Sequence, residues 1–412
     1  MAGLFSLGRM NPFFLRETSR AWTLPLIVLF ACAPVLVLAQ PDMQDRALLS
    51  RQSLAPIFNG TNLDGWISRG GKASYEVQDA VIVGTVTVKG GGNTFLCTEK
   101  EYGDFILELE IKADKELNSG VQIRSHCFDQ ATTYDFGHRT IRIPAKRVHG
   151  YQIEVDNRPE RRWSGGVYDE ARRDWLFPLG KNSAAGQAFK FGDWNKYRIQ
   201  CIGSSIKTWI NDVPAADLVD AETLRGFIGL QVHGSDQPEL QVRFRNIRIA
   251  DLGERQWVTA WDCRSMDGLN ESGPAQWKLE DGVARVTQAA AVSEAGKLTG
   301  NMALQEFTVR FKYKIAKGGF NLTFQPESGA KAQSASFSFG ERIGVTNVAH
   351  VQDWNTVVAS VQPTRFVVIL NGHKVTDAAD LQLGKVLPGF EFPAGPEAEV
   401  SFKDFEILAP KE

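Results

Sequence analysis

From Phe58 onward, short segments in which apolar and polar residues alternate make up most of the chain. In Phe105-Ile-Leu-Glu-Leu-Glu-Ile111 the alternation is acidic against aliphatic, and Tyr197–Cys201, Ser205–Ile210 and Val242–Ile249 follow the same rule. Successive side chains of a strand point to opposite faces, so a period of two describes strands with one buried and one wet face. Asn-Gly, Asn-Asp and Gly-Gly pairs between the runs suit hairpin turns. Only Ala221–Leu224 reads as a helical turn. The expected fold class is all-β, built as antiparallel β-sandwiches or jelly rolls. A richness in Gly and Phe (38 and 25) over Met (5) leans the same way.

The alternating pattern repeats itself. Phe105–Arg124 resembles Phe307–Gln325 at an offset of 202, whereas Asp193-Trp-Asn195 matches Asp353-Trp-Asn355 and Asn211 matches Asn371 at an offset of 160. Val242-Arg-Phe-Arg and Val400-Ser-Phe-Lys add a further match. Two sandwiches of one architecture are expected in tandem, over residues 55–252 and 253–412. The drop in offset makes the first copy 42 residues longer between about Ser125 and Gly192. A scaffold needs only the strands shared by both copies, so the extra material marks the first copy as the one with a site.

Ahead of the sandwiches, Arg9, Arg16 and Arg20 precede an apolar run from Leu24 to Ala39. This is the pattern of a signal peptide over residues 1–39, with 40–54 as a linker, and it predicts an exported, periplasmic or extracellular protein. A retained anchor or lipidation at Cys32 are the alternatives; Pro25 and Pro34 in a short run argue against a stable transmembrane span. Cys97, Cys127, Cys201 and Cys263 have neither zinc-site spacing nor the density of a disulfide framework, so buried free thiols are expected, with one disulfide in the first domain as the alternative. A net charge of −2, from 46 basic against 48 acidic residues, recruits neither nucleic acid nor an anionic membrane.

Three strands of the first copy carry a polar stripe. Gln122, Arg124 and His126 alternate with Val121 and Ile123; Gln152, Glu154 and Asp156 with Tyr151, Ile153 and Val155; Gln231 and His233 with Leu230 and Val232. If the strands are neighbours, these side chains form a wall suited to a polyhydroxylated ligand, although a merely wet sheet face reads similarly. Trp163, Tyr168 and Trp175 can stack on a sugar ring. The arginines from Arg158 to Arg173 are interrupted by acids and read as an ion-paired loop. No GxSxG, Walker, HExxH or dinucleotide motif is present. The histidines form no tight ligand motif; a divalent cation held by Glu154, Asp156 or His233 is the one cofactor the residues allow, and the metal ligands stay open.

Phe58–Trp66, Asn118-Ser-Gly-Val-Gln-Ile-Arg124, Gly150-Tyr-Gln-Ile-Glu-Val-Asp156, Ser164-Gly-Gly-Val-Tyr168, Asp193-Trp-Asn195 and Phe244–Arg248 together resemble the 3-keto-disaccharide hydrolase family. The second copy shares only the framework. The resemblance implies a concanavalin-like jelly roll acting on sugars already oxidised at C3. A C3 ketone acidifies the C2 hydrogen, so one base and a stabiliser of negative charge suffice for elimination at C1, followed by addition of water. On this reading Glu154 or His233 is the base and Arg124, alone or with a cation, stabilises the enediolate. Gln122, Gln152 and Tyr168 orient hydroxyl groups, with Asp156, Trp163 and Gln231 completing the substrate-binding surface. The expected function is cleavage of 3-keto-glycosides or 3-keto-disaccharides, by elimination and hydration or by direct hydrolysis. A noncatalytic carbohydrate-binding protein and a conventional glycosidase are the alternatives. The oligomeric state and the role of the second copy are not legible.

Overall fold

The computed structural model describes residues 53–136, 139–327, 333–340, 348–350 and 352–411. The segment read as a signal peptide and most of the expected linker lie outside the described residues. What is described is almost entirely strand, in antiparallel pairs. In the first sandwich one sheet runs in the order Val213–Val219, Ser205–Ile210, Asn195–Ile202, Phe105–Ala113, Gln241–Asp251, Val81–Thr85, Ser74–Gln78. The facing sheet runs Asp174–Phe177, Val167–Glu170, His149–Asp156, Asn118–His126, Gly226–Val232, Thr94–Tyr102, Trp66–Gly70. Strands that neighbour in space are often distant in sequence, as a jelly roll requires.

The alternation decides which side chains are inside. Val121, Ile123, Tyr151, Ile153, Val155, Leu230 and Val232 are buried against Leu107, Leu109, Ile111, Tyr197 and Ile199 of the other sheet. Each large aliphatic side chain so buried contributes roughly 1.5–3 kcal/mol.

The second sandwich repeats the order. Its larger sheet runs Gln276–Glu280, Val283–Gln288, Ala398–Pro410, Phe307–Lys317, Asn355–Gln362, Arg365–Leu370, His373–Ala378. The smaller consists of Leu269–Ser272, Gly296–Gly300, Val386–Phe392, Gly319–Pro326 and Ala335–Gly340. Repeated residues do repeated work. Asn211 Oδ1 accepts from Lys196 N (2.9 Å) and its Nδ2 donates to Asn195 Oδ1 (2.9 Å); Asn371 does the same with Thr356 N (2.8 Å) and Asn355 Oδ1 (2.9 Å). Arg245 lies over Trp194 as Lys403 lies over Trp354. The shared motifs are therefore turn-holding scaffold. Among the described residues, the first copy alone extends its smaller sheet by Val167–Glu170 and Asp174–Phe177, and alone carries the hairpin Thr132–Asp135/Thr140–Ile143 and the helix Ala184–Ala188.

Two expectations need correction. Ala221–Leu224 is not helical; the helix is Ala184–Ala188, whose first turn is capped by Ser183 accepting from Gly186 N. Arg124 does not share the face of Gln122. It sits at φ +46°, where the pairing with both neighbouring strands slips by a residue, a bulge invisible to a strict period of two. Its guanidinium is buried at the end of the sandwich, donating to Gly103 O (2.8 Å), Gly203 O (2.7 Å) and Asp104 Oδ1 (3.0 Å). Ser125 takes the vacated place, its Oγ donating to Gln122 Oε1 (2.8 Å).

Asp104 is thus a structural hub: it also accepts from Gly203 N (2.9 Å) and from Arg255 Nε (2.7 Å), at the start of the second set of strands. Cys97, Cys127, Cys201 and Cys263 are free thiols, three of them buried and Cys127 partly so. Removing the Asp104 carboxylate leaves a fully buried guanidinium without its counter-charge, so Asp104→Ala is expected to cost about 3–5 kcal/mol in urea unfolding. Arg255→Ala, which removes a partly exposed partner, is expected to cost under about 1 kcal/mol. Equal effects would contradict the hub.

Candidate functional site

The polar stripes of Asn118–His126, His149–Asp156 and Gly226–Val232 do lie side by side, since these are the three central strands of their sheet. Gln152 is opposite Gln122, which is opposite Gly229; one row on, Glu154 is opposite Gly120, and continuing the Val121–Leu230 pairing brings Gln231 to Gly120's other side. The side chains form a relay. Ser125 donates to Gln122, Gln122 Nε2 to Gln152 Oε1 (2.8 Å), Gln152 Nε2 to Glu154 Oε2 (3.2 Å), and Asn118 Nδ2 to Glu154 Oε1 (2.5 Å). Gly120 makes this packing feasible: a Cβ there would lie 2.6 Å from the Gln152 carboxamide.

This face is not a wet one. Gln122, Gln152, Glu154 and Gln231 are 0%, 3%, 5% and 1% exposed, so their polarity is not solvation. At one end Val148, delivered by the long insertion, packs on Phe95, Cys97 and Phe227. Within the relay every amide has a partner, but beside it both Gln231 Nε2 and Gln231 Oε1 are buried without a hydrogen bond. An orphaned buried amide costs on the order of 1–3 kcal/mol, a penalty that a ligand's hydroxyl groups would remove. Burial pushes the Glu154 carboxyl up to about 7, against the opposing hydrogen bond from Asn118 and with added repulsion from Asp156.

The other expected site residues are placed differently. Asp156 is buried, but its Oδ1 accepts from Arg158 Nε (3.0 Å) and its Oδ2 from Arg161 Nε (2.6 Å), which makes it an anchor for the following loop. His233 lies just past its strand, with Nδ1 2.7 Å from Gly234 O. Trp163 has Arg161 stacked 3.9 Å from its ring centroid and meets Trp175 edge-on at 5.2 Å. Tyr168, directly opposite Gln152, meets Trp175 edge-on at 5.4 Å and donates to Asp174 Oδ1 (3.1 Å). Among the described residues no cluster of three His, Cys, Asp or Glu side chains is placed to hold a metal ion. With both Asp156 oxygens committed to arginines, Glu154, Asp156 and His233 do not make up a cation site.

Sequence reasoning missed Asn118, Gly120 and Ser125. The first two stand in the Asn118-Ser-Gly motif, and their even spacing from Gln122, which puts them on the same face of the strand, was the available signal. It also missed how the strand of Gln152 and Glu154 is held. Tyr151 donates to Asp220, and Arg173 binds Asp220 through Nη1 (2.8 Å) and Nη2 (3.0 Å) and Asp169 through Nε (2.7 Å). Arg172 binds the other Asp169 oxygen (2.7 and 2.9 Å). Burial raises the Asp220 carboxyl, but Arg173 and the Tyr151 hydroxyl more than reverse this, leaving it below its ordinary value. Arg173 also donates to Gly372 O (3.2 Å) of the second sandwich.

An antiparallel jelly-roll sandwich with a buried amide–carboxylate row across the middle of one sheet defines the class of this protein. Residues 54–250, which make up the first sandwich, match the sequence model of the 3-keto-alpha-glucoside-1,2-lyase-like domain. Two candidate glycosyl hydrolases from Parabacteroides distasonis are similar in structure. One is 22% identical and covers 48% of this chain and 100% of its own, with a TM-score of 0.34. The other is 16% identical and covers 52% and 99%, with a TM-score of 0.32. The carbohydrate-binding module CBM66 from Bacillus subtilis is 14% identical over 46% of this chain and 98% of its own, with a TM-score of 0.28. No curated protein matches at a significant level. No helix among the described residues is long and apolar enough to cross a membrane.

The raised carboxyl has a consequence for stability. A group whose pKa is higher folded than unfolded favours the fold while protonated, and that contribution is lost as pH rises through the folded value. Between about pH 4 and 8, Glu154→Gln should therefore gain stability relative to the parent by up to about 3 kcal/mol, read from urea unfolding at several pH values. A pH-independent difference would show that Glu154 titrates normally.

Proposed function

We propose that this chain is an exported enzyme that cleaves 3-keto-glycosides or 3-keto-disaccharides by α-proton abstraction and elimination at C1, with hydration following. The observation that carries the reading is the pairing of Glu154, raised to about 7, with the unpartnered Gln231 amide across Gly120. A carboxylate with a pKa near the working pH is matched to the removal of a carbon-bound proton from a ketone-activated position. Glu154 takes the C2 proton, and the C2–H electron pair becomes the C2–C3 double bond of an enediolate. The ketone then re-forms as the C2–C3 pair moves to make a C1–C2 double bond, the C1–O bond breaks, and the aglycone departs with the proton that Glu154 took. Water adds across the C1–C2 double bond, its oxygen at C1 and a proton at C2, and restores the saturated ring.

The developing negative charge needs a fixed donor. Arg124 is walled off at the end of the sandwich, so that role passes to Gln231 Nε2, while Gln122 and Gln152 hold Glu154 and orient hydroxyl groups. The family name of the domain supports the 3-keto substrate. The chemistry of the row supports proton abstraction: Asp156, the other carboxylate of that strand, is bound by two arginines and so is not free to act as the second acid of a conventional glycosidase pair. The apolar run after Arg20 supports export.

Matched oxidised and unoxidised glucosyl disaccharides test the reading directly. Product analysis should show cleavage of the 3-keto sugar alone; binding without turnover would instead make the protein a carbohydrate-binding sandwich. Glu154→Gln is expected to lower kcat by about 10²–10⁴ with the fold intact. Gln231→Leu is expected to lose activity while unfolding at the same or higher urea concentration, because it replaces an orphaned amide by an apolar group. A clear loss of stability in Gln231→Leu would make that residue structural instead.

A further inference from the structure

At the edge of the candidate-site sheet, a cavity of about 180 Å³ lies between the two sandwiches. The first sandwich lines it with Trp175, Leu218 and Asp220, and the hairpin of the second closes it with Ile369, His373 and Lys374. The volume is below the roughly 300–1,000 Å³ of sites for drug-sized ligands and suits a single monosaccharide unit. Its lining combines the large indole of Trp175 and two aliphatic side chains with a polar rim that includes Lys374, whose Nζ also pairs with Asp377 (2.7 Å), while the Asp220 carboxylate is already bound by Arg173 and the Tyr151 hydroxyl.

Trp175, which lines the cavity, stands in register with the row of the proposed active face. Gln152 is opposite Tyr168, and Tyr168 is opposite Trp175, so the row runs from the catalytic strand to the cavity in two strand spacings, about 10 Å. That is the span of two linked pyranose rings. Tyr168 and Trp175 touch edge-on along this path.

We infer that the interdomain cavity is the subsite for the departing sugar unit of a disaccharide, with the second sandwich supplying His373 and Lys374 to its wall. The inference rests on the carbohydrate reading for its occupant, but not on the oxidised substrate or on Glu154 as base. It also accounts for the degenerate copy, which lacks a counterpart of the catalytic row among its described residues and contributes the far wall of the site. The hairpin is held in place by Arg365, which binds Asp217 of the first sandwich (2.6 Å) and Asp377 (2.7 Å), and by the Arg173–Gly372 bond.

Saturation-transfer NMR with an unoxidised glucosyl disaccharide and with methyl glucoside tests the subsite. The disaccharide should bind the parent, and Trp175→Ala and Lys374→Ala should each weaken it about tenfold. Methyl glucoside, which fills one ring site only, should bind the parent more weakly than the disaccharide. Thermal unfolding checks that each variant is folded, and Lys374→Ala, a change at an exposed side chain, serves if Trp175→Ala is not. Absence of disaccharide binding to the parent, or equal binding by the folded cavity variants, overturns the subsite. If the disaccharide binds through the cavity but its 3-keto form is not cleaved, the subsite stands and the proposed reaction falls. If the 3-keto form is cleaved equally by parent and cavity variants, the reaction stands and the subsite falls.

Discussion

The ion cluster around Arg173 is the interaction on which the rest of the first sandwich's site depends. One guanidinium, almost wholly withdrawn from water, joins Asp169 beside the strand of Gln152 and Glu154, Asp220 on the facing sheet's side and the Gly372 carbonyl of the second sandwich. Buried charges are tolerated only when fully paired, so each partner has to be in position for the others to be stable. Tyr151 is drawn into the same cluster through its hydroxyl, and its strand neighbours are Gln152 and, two residues further, Glu154. The cluster therefore fixes where the carboxylate sits without touching it. Phe136 of the insertion lies under the Arg173 guanidinium at 4.9 Å, tying the hairpin to the same point.

A second constraint comes from burying amides. A row such as Ser125, Gln122, Gln152, Glu154 and Asn118 survives out of solvent because its donors and acceptors match in turn, and because Gly120 has no side chain to occupy the space of the Gln152 carboxamide. Beside the row stands Gln231, where the pairing stops. A polar face satisfied along its length but open at one buried amide is the signature of a surface completed by something else. At the repeated turns, by contrast, the scaffold closes its amides in the same way through Asn211 and Asn371.

The period-two pattern carried the fold: which face of Asn118–His126 or His149–Asp156 is inside follows from alternation alone, and Val121, Ile153 and Leu230 are where it puts them. The site was legible to the same depth and no further. Gln122, Gln152, Glu154 and Gln231 share a face because each belongs to an unbroken run, whereas Arg124 sits on a bulge whose left-handed backbone no residue type announces. Asp156 was read as a ligand because spacing says nothing about Arg158 and Arg161 folding back on it. Tyr151 and Asp220, 69 positions apart, illustrate the general case: contacts that close across the sandwich depend on register between distant strands, which a local pattern does not encode.

Two sandwiches with the same strand order, made from one chain, carry a hazard during synthesis. A strand of one copy can pair with the counterparts of its neighbours in the other, and such misassembly is a characteristic failure of tandem repeats. The two edge strands Val167–Glu170 and Asp174–Phe177, with the Arg173 cluster behind them, distinguish the copies at the level of which edges can be completed. Divergence between the copies then reduces such cross-pairing while each half finds its own strands.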